Sequence, residues 1–521
     1  MPSRLIGNKW LISIPVMLAA LTAVLDASIV NVAIPKMQSS FGAAVDEIDW
    51  VITGYLISNV IVIPATGWLS SIFGLRTYFI ISQVVFIVAS VLCGLSWSLG
   101  SLIFFRVLQG IGGGAILPVT LTILLEAFPP AEFGMASALY GVGAACGPAI
   151  GPTLGGYLTD ALSWPWIFYV NVPLVALSLL FTVMFIHENR EVTAKRGSAP
   201  VDYWGLLFVA LWLGTLQVVL QEGEKNDWFQ SPFIFWLSVV SVLSFVAFIY
   251  VELTDPHPLI NIRIFKNRNF TLGSLEGAVL GAALFGMLFL VPLFTGNLLN
   301  YDALEIGTLL LPAAIVSLIF FPIVGRLSSF VDARLLIAFG LGIFAFALYL
   351  QSHMDLTYSW TQMMLIQCVR GLSLPFMFTS IGSISLTTLK PNERADGSSL
   401  FNLTRTLGGS FGIAILATTL VNRQQFHFER FGESITQFSQ VTQEQIAAIT
   451  NGFIARGGYD AITAQHQAIA AVAGRLAAQS YVAAFADCAV LLGVTLIAAM
   501  VMIPFFNPAP RGAGPAAPTA E

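Results

Sequence analysis

The chain is built from long apolar runs separated by short polar connections. Runs of spanning length occur at about 11–34, 50–71, 77–96, 99–124, 134–159, 164–186, 202–221, 233–253, 270–293, 305–327, 334–351, 360–388, 397–420 and 481–504. A membrane-spanning helix needs about 20 mainly apolar residues, so the pattern predicts an all-α polytopic membrane protein with fourteen spans. One connection is long. Residues 422–480 are polar and rich in Gln and Ala, and Gln443–Ile449 and Ala464–Ala478 have helical composition around a break at Gly457-Gly458. They predict a short helical hairpin on the outer face. The tail from Pro508, rich in Pro, Ala and Gly, is expected to be disordered.

Charge orients the spans. With the N-terminus inside, the short inner segments hold Arg4, Lys9, Arg76, Arg190, Lys195, Arg196, Arg263, Lys266, Arg268, Arg326, Arg334, Lys390, Arg394 and Arg511, whereas the short outer loops hold only Lys36 and Lys225. Such a positive-inside bias would be scrambled by one miscounted span. The 4–5 connection fits least, because it carries Glu126 and Glu132 and no base. The first run resembles the start of a signal peptide, but it continues to about Ile34, has no small-residue cleavage site and carries Asp26, so it reads as a retained span.

Composition narrows the function classes. The 521 residues are 56% hydrophobic and 10% charged, far from the quarter-charged soluble average. A net charge of −5 gives no basis for nucleic-acid binding. Cys93, Cys146, Cys368 and Cys488 stand alone in apolar runs, and the five histidines (His187, His257, His353, His427, His466) fall in connections, so neither a metal site nor any other cofactor is predicted. The glycine run Gly110–Gly114 has no following P-loop Lys, and no nucleophile–base pair is visible. The chain reads as neither an ATP-driven pump nor an enzyme.

An internal repeat sets the architecture. Gly67, Leu69, Ser70-Ser71 and Arg76 after the second span match Gly325, Leu327, Ser328-Ser329 and Arg334 after the tenth, 258 residues apart throughout. Leu108-Gln109-Gly110 in span four has a counterpart in Val369-Arg370-Gly371 in span twelve. Two homologous six-span bundles, 1–190 and 256–505 (the latter including 422–480), with two spans inserted at 191–255 and a tail at 506–521, follow from this spacing. Parallel repeats of this kind are a transporter design, with a site between the halves near the midplane.

Several stretches carry a family resemblance. They are Leu25-Asp26-Ala27-Ser28-Ile29-Val30-Asn31-Val32-Ala33-Ile34-Pro35 in span one, the loop Gly67 to Arg76 with Gly74, Arg106-Val-Leu-Gln109-Gly110 in span four, and Gly147-Pro-Ala-Ile-Gly151-Pro152-Thr-Leu-Gly155-Gly156 in span five. Trp164-Pro-Trp166, Asn171-Val-Pro173 and Asn402-Leu-Thr-Arg405-Thr-Leu-Gly-Gly409 add to them. Together they resemble the major facilitator superfamily, and within it the fourteen-span drug:proton antiporters of the EmrB/QacA type, over about residues 11–505. The span-five glycine motif is similar to one associated with exporters. Two positions depart from the family pattern: Ser71 stands where the loop motif usually has Asp, which puts the charge-relay latch in doubt, and Pro165 stands where relatives often have Arg.

Charges well inside the spans are few: Asp26, Arg106, Glu276, Arg370, Arg405 and Asp487. Each costs about 2.5–3.5 kcal/mol or more at a helix centre unless paired or wetted, so a functional role is the default. Asp26 is the expected proton carrier, since desolvation favours a neutral acid and water or a nearby cation favours the carboxylate. Arg106 is its expected partner. Glu276, beside Gly273, Gly277 and Gly281, is either a second titrating group or a binder of cationic substrates. Asn402 and Arg405 read as a gating element of the second half, Asp487 as a possible partner of the intramembrane arginines, and Gly147, Gly151, Pro152, Gly155 and Gly156 as a packing and bending segment. Asn31, Gln109, Phe285, Phe289, Phe376 and Phe378 are cavity candidates, because aromatic faces suit flat lipophilic or cationic compounds.

The combined expectation is a proton-driven multidrug exporter working by alternating access, in a bacterial inner membrane with both termini cytoplasmic. The resemblance implies a periplasmic adaptor and an outer-membrane channel as partners in a two-membrane cell, with 422–480 as a docking candidate. An exporter of one metabolite (siderophore, fatty acid or peptide), or a proton-coupled importer, is the alternative on the same fold.

Overall fold

The computed structural model describes residues 5–188 and 202–508, apart from 257, 392, 437, 458 and 459. Arg4, Arg190, Lys195, Arg196, His257, Gly458, Arg511 and most of the expected tail lie outside the described residues. Among the described residues fourteen helices are long and apolar enough to cross a membrane. We number them α1 (Lys9–Phe41), α2 (Trp50–Phe73), α3 (Leu75–Gly94), α4 (Leu99–Ala127), α5 (Phe133–Ala161), α6 (Asn171–Phe185), α7 (Tyr203–Glu222), α8 (Pro232–Thr254), α9 (Arg268–Leu299), α10 (Ala303–Leu327), α11 (Ala333–Ser352), α12 (Trp360–Thr387), α13 (Arg394–Gly432) and α14 (Ala461–Met500).

Capping chemistry starts many of them. Asn8, Ser98, Asn267, Asp302 and Ser359 each accept a hydrogen bond from the first turn they precede, meeting donors that the helix leaves unpaired. Asp460 does the same for α14 through Ile462 and Thr463, and its bonds to Thr463 hold its carboxyl below the usual carboxylate range.

Two boundaries differ from the hydropathy pattern. α13 has 39 residues and α14 has 40, so each is roughly 60 Å long at a rise of 1.5 Å per residue, about twice the apolar core of a bilayer. The segment 422–480 carries the expected helical pair, the helix Gln440–Gly457 ending at the glycine break before α14, but the flanking spans also continue into it as helix. It consists of two helical extensions of spans, with the helix Gln440–Gly457 packed on α14. Hydropathy marks where side chains leave lipid, whereas the backbone ladder continues through residues such as Ala, Gln, Glu and Arg that favour helix.

The repeat is visible in the packing. α1–α6 form one bundle and α9–α14 the other. Between them α5 lies against α10 and α2 against α13, so the second and fifth spans of one half meet the fifth and second of the other. The inserted α7 and α8 pack on each other, and α7 also reaches α2 and α13. α8 buries only a narrow stripe (Ile234, Ser241, Ser244, Phe248 and Glu252). Its Phe233, Trp236, Leu243, Val246 and Tyr250 are exposed, as suits a lipid-facing surface.

Connections alternate between two faces. On one, β1 (Leu5–Ile6) pairs antiparallel with β2 (His187–Glu188), the Glu188 carboxylate accepts from Arg76 N at 3.0 Å, and Asn507 N donates to Asn269 Oδ1 at 2.8 Å. The acidic 4–5 connection finds its base there, because Lys9 of α1 reaches Glu132 at 2.5 Å. On the other face Lys36 pairs with Asp160 at 2.7 Å, and Lys225 with Asp49.

Candidate functional site

The first half holds a sealed polar nest. Asp26 on α1 and Arg106 on α4 are both 0% exposed. Arg106 Nη1 donates to Asp26 Oδ2 at 2.7 Å and to Gln109 Oε1 at 2.6 Å, and its Nε donates to Val51 O on α2 at 3.1 Å. Asp26 Oδ1 accepts from Gln109 Nε2 at 2.8 Å and from Asn171 Nδ2 on α6 at 2.6 Å. Gln109 Nε2 also donates to Ser90 Oγ on α3 at 2.9 Å. Residues from five spans thus converge on one carboxylate, which accepts three donors while its charge is balanced by Arg106. A buried pair is tolerated only when its remaining polar atoms are satisfied in this way.

The glycine motif of α5 places α1 for this. A side chain at Gly151 would fall 1.9 Å from Ser28 Oγ, so only glycine lets α5 lie this close to α1 just beyond Asp26. Gly147 packs on Val24 and Leu25, Gly155 on Ile29, and Gly156 faces Ala303 and Leu304 at the start of α10. Pro148 lines the cavity described next, and Pro152, one turn further on, is half-buried.

Beside the nest is a cavity of about 430 Å³, reaching from the face of Lys36 and Lys225 into the membrane between the halves. α1, α2, α5, α7, α9 and α13 all contribute to its wall. Asn31, Phe285 and Phe289 line it as expected. The Tyr55 ring is its boundary with the nest: it lines the cavity, carries the Arg106 guanidinium 4.2 Å from its centre, and donates from Oη to Ala23 O at 3.3 Å.

The opposite face is closed where the halves meet. Ser398 Oγ of α13 donates to Pro118 O of α4 at 2.8 Å. Tyr140 Oη of α5 donates to Asn402 Oδ1 of α13 at 2.5 Å, and Arg405 Nη2 donates to the same oxygen at 3.0 Å. The expected Asn402–Arg405 element is therefore a bridge between halves, with Tyr140 as a member that sequence reasoning missed. At Gly67 an added side chain would come 2.1 Å from Asp396 Oδ1 of α13. Ser71, in place of the usual Asp, only bonds back to Trp68 O at 2.7 Å. Two carboxyls flank this loop motif, Asp396 from the other half at Gly67 and Glu188 from its own half at Gly74 and Arg76. Gly74, with φ 88°, ends α2, and Arg76 Nη2 donates to Val183 O at 3.1 Å, so Arg76 is tied within its own half.

Other expectations need correction. Gln109 belongs to the nest and not to the cavity wall. Phe376 packs on Phe339, with ring centres 4.9 Å apart, and Phe378 packs beside Phe321 and Arg405; both fill the second bundle, because aromatic residues at helical spacing serve packing as readily as a pocket. Asp487 pairs with Arg423 at 2.5 Å and His427 at 2.8 Å, both on the extension of α13, and among the described residues it pairs with none of Arg106, Arg370 and Arg405. Glu276 is 0% exposed on α9, neither carboxyl oxygen has a hydrogen-bond partner among the described residues, and it is not one of the residues lining the cavity. Glu222, which does line the cavity, was passed over: it closes span seven, where a charge reads as the start of a loop.

Comparison with known proteins is consistent with this arrangement. The family described as Major Facilitator Superfamily matches residues 16–413. Multidrug export protein EmrB of Escherichia coli (strain K12) is 36% identical over 439 residues, covering 83% of this chain and 84% of its own. Multidrug export protein EmrB of Haemophilus influenzae is 34% identical over 438 residues, covering 84% and 85%. Among solved structures, the human organic anion transporter MFSD10 (TETRAN) aligns over 94% of this chain and 100% of its own with a TM-score of 0.59 at 12% identity.

Proposed function

The chain belongs to the Major Facilitator Superfamily, among its EmrB-like multidrug exporters, and from that premise we propose that it is a proton-driven multidrug efflux transporter whose coupling residue is Asp26. The observation that carries the reading is the Asp26–Arg106–Gln109–Asn171 nest beside the cavity. Protonating Asp26 removes the negative partner of Arg106 and turns one acceptor of the nest into a donor, so its hydrogen bonds must rearrange. Arg106 sits on α4, the helix whose Pro118 receives Ser398 at the closed face. Twelve residues separate the two, about 18 Å at helical rise, and a shift of α4 would be felt at both. Proton loading at the nest and opening of the far face are thereby linked through one helix. Glu276 is a second candidate titrating group, supported by its burial without a partner.

The cavity, walled by Phe285, Phe289, Leu288, Leu56 and Tyr55, suits small hydrophobic compounds. The basic residues on the face of Lys9 and Arg76 support a cytoplasmic position for the N- and C-termini, hence a cavity open to the outside, in a bacterial inner membrane. A periplasmic adaptor leading to an outer-membrane channel would dock on the projecting helices, where Phe431, Ile435, Val472 and Leu476 wall a groove bordered by Arg430 and Arg475.

Growth of drug-sensitive cells making wild type or Asp26→Asn tests the mechanism. Asn is nearly isosteric and does not titrate, so the expected outcome is resistance lost to the level of cells without the transporter, at equal amounts in the membrane. Equal resistance in the two removes Asp26 from coupling.

A further inference from the structure

The cavity wall contributed by the inserted helix α7 carries a charge that the coupling mechanism does not use. Glu222 is the last residue of α7, is 7% exposed and lines the cavity. Its only side-chain hydrogen bond among the described residues is a long one, 3.5 Å from Thr53 Oγ1. The neighbouring cation is committed elsewhere, since Lys225 is ion-paired with Asp49 of the 1–2 connection. Charged groups facing Glu222 are Lys225, Asp49 and Asp46, two acids against one base. Across the cavity are Phe285 and Phe289 of the second half. The connection after α7 is pinned to both halves, to the first by Lys225–Asp49 and to the second by Trp228 Nε1, which donates to Thr418 Oγ1 of α13 at 3.0 Å. Asp227 and Trp228 both have φ 53°, a left-handed backbone that non-glycine residues seldom adopt. This strained turn follows Glu222 closely and fixes the end of α7 at the cavity mouth.

A carboxylate at the rim of an aromatic-walled cavity, whose nearest cation is ion-paired with another acid, is complementary to a compound that carries positive charge on an apolar body. We propose that Glu222 recognises the charge of lipophilic cationic substrates, so that the inserted helix α7 contributes to substrate selection while Asp26, behind Tyr55, handles the proton. This rests on the cavity being the drug site of the exporter described above, and it adds a charge-selecting residue to that reading.

Binding to the purified full-length protein tests it without any proton gradient. The probes are tetraphenylphosphonium and its neutral analogue triphenylphosphine oxide. Glu222→Gln should weaken phosphonium binding about tenfold or more, a loss of the size of one charge-assisted contact, and move binding of the neutral oxide less than about twofold. Glu222→Asp should fall between wild type and Glu222→Gln for the phosphonium alone. Retained binding of the oxide reports a folded cavity. An unchanged phosphonium affinity in Glu222→Gln overturns the proposal, and so does parallel weakening of both probes in both variants. A failure of the coupling reading is seen in the resistance of Asp26→Asn cells, and a failure here is seen in the phosphonium-against-oxide discrimination of Glu222→Gln, so the two are separable.

Discussion

The two halves share a fold and part company at equivalent positions. By the 258-residue spacing of the repeat, the counterpart of Asp26 on α9 is the apolar Leu284, next to Phe285. In the first half the acid gathers Arg106, Gln109, Asn171 and Ser90 into a nest in which Gln109 uses both ends of its amide. In the second half an apolar residue stands there, with the Phe285 ring beside it on the cavity wall, and the α12 counterpart of Gln109 is Arg370. Arg370 is 6% exposed and its Nη1 has no partner; nearby in sequence, both amide atoms of Gln367 are also unpaired. Most buried polar atoms in proteins are hydrogen-bonded, so the contrast is informative. In the first half one carboxyl gathers Arg106, Gln109 and Asn171 around it, whereas in the second half the buried Glu276, Gln367 and Arg370 leave polar atoms without partners among the described residues. The hydrogen-bonded polar contacts gather around the carboxyl of one half, while the other half supplies Phe285 and Phe289 to the cavity.

The strongest test of this contrast is Arg106→Gln. It strands a buried carboxylate, and breaking such a pair from one side costs about 3–5 kcal/mol. A fall in thermal unfolding temperature in detergent is expected, and adding Asp26→Asn should recover much of it, since the second change removes the stranded charge. Arg370→Gln is the matching experiment in the second half. Arg370 has no ion pair among the described residues, so no pair energy is lost, and stability should stay within about 1 kcal/mol of wild type or rise. If Arg370→Gln costs as much as Arg106→Gln, the second half holds a paired nest and the asymmetry fails.

The spans, the repeat and the Asp26–Arg106 pairing were legible in the sequence for a physical reason. Apolar runs of membrane length have few other uses, and a charge inside one must be compensated, which leaves a short roster of partners. What hydropathy could not report was anything fixed by helix continuation or by side-chain direction. α13 and α14 run beyond the membrane on helix-favouring polar residues, with no change of backbone at 420 or 481 to mark the exit. Phe285 and Phe376 look alike in a sequence, yet one faces the cavity and the other Phe339. Glu222 and Tyr140 were missed because a charge at the end of a span and a tyrosine within one are ordinary until the other half is placed opposite them.

The smallest expected effect probes how the halves are held together. Tyr140→Phe removes one hydroxyl and keeps the ring, deleting the bond to Asn402 that crosses from α5 to α13. Asn402 Oδ1 retains Arg405 as a donor, so no acceptor is stranded and the cost should be near that of a single hydrogen bond, about 0.5–1.5 kcal/mol. Because that bond exists only where the far face is closed, the loss should fall on this state and not on the fold as a whole. Spin labels placed on the far-face ends of α5 and α13 should show a larger population at long distance in Tyr140→Phe, by roughly two- to tenfold for that energy. The unfolding temperature should move little. An unchanged distance distribution would mean that the α5–α10 and α2–α13 contacts alone hold the face shut, and that the Tyr140–Asn402–Arg405 bridge is packing and not a latch.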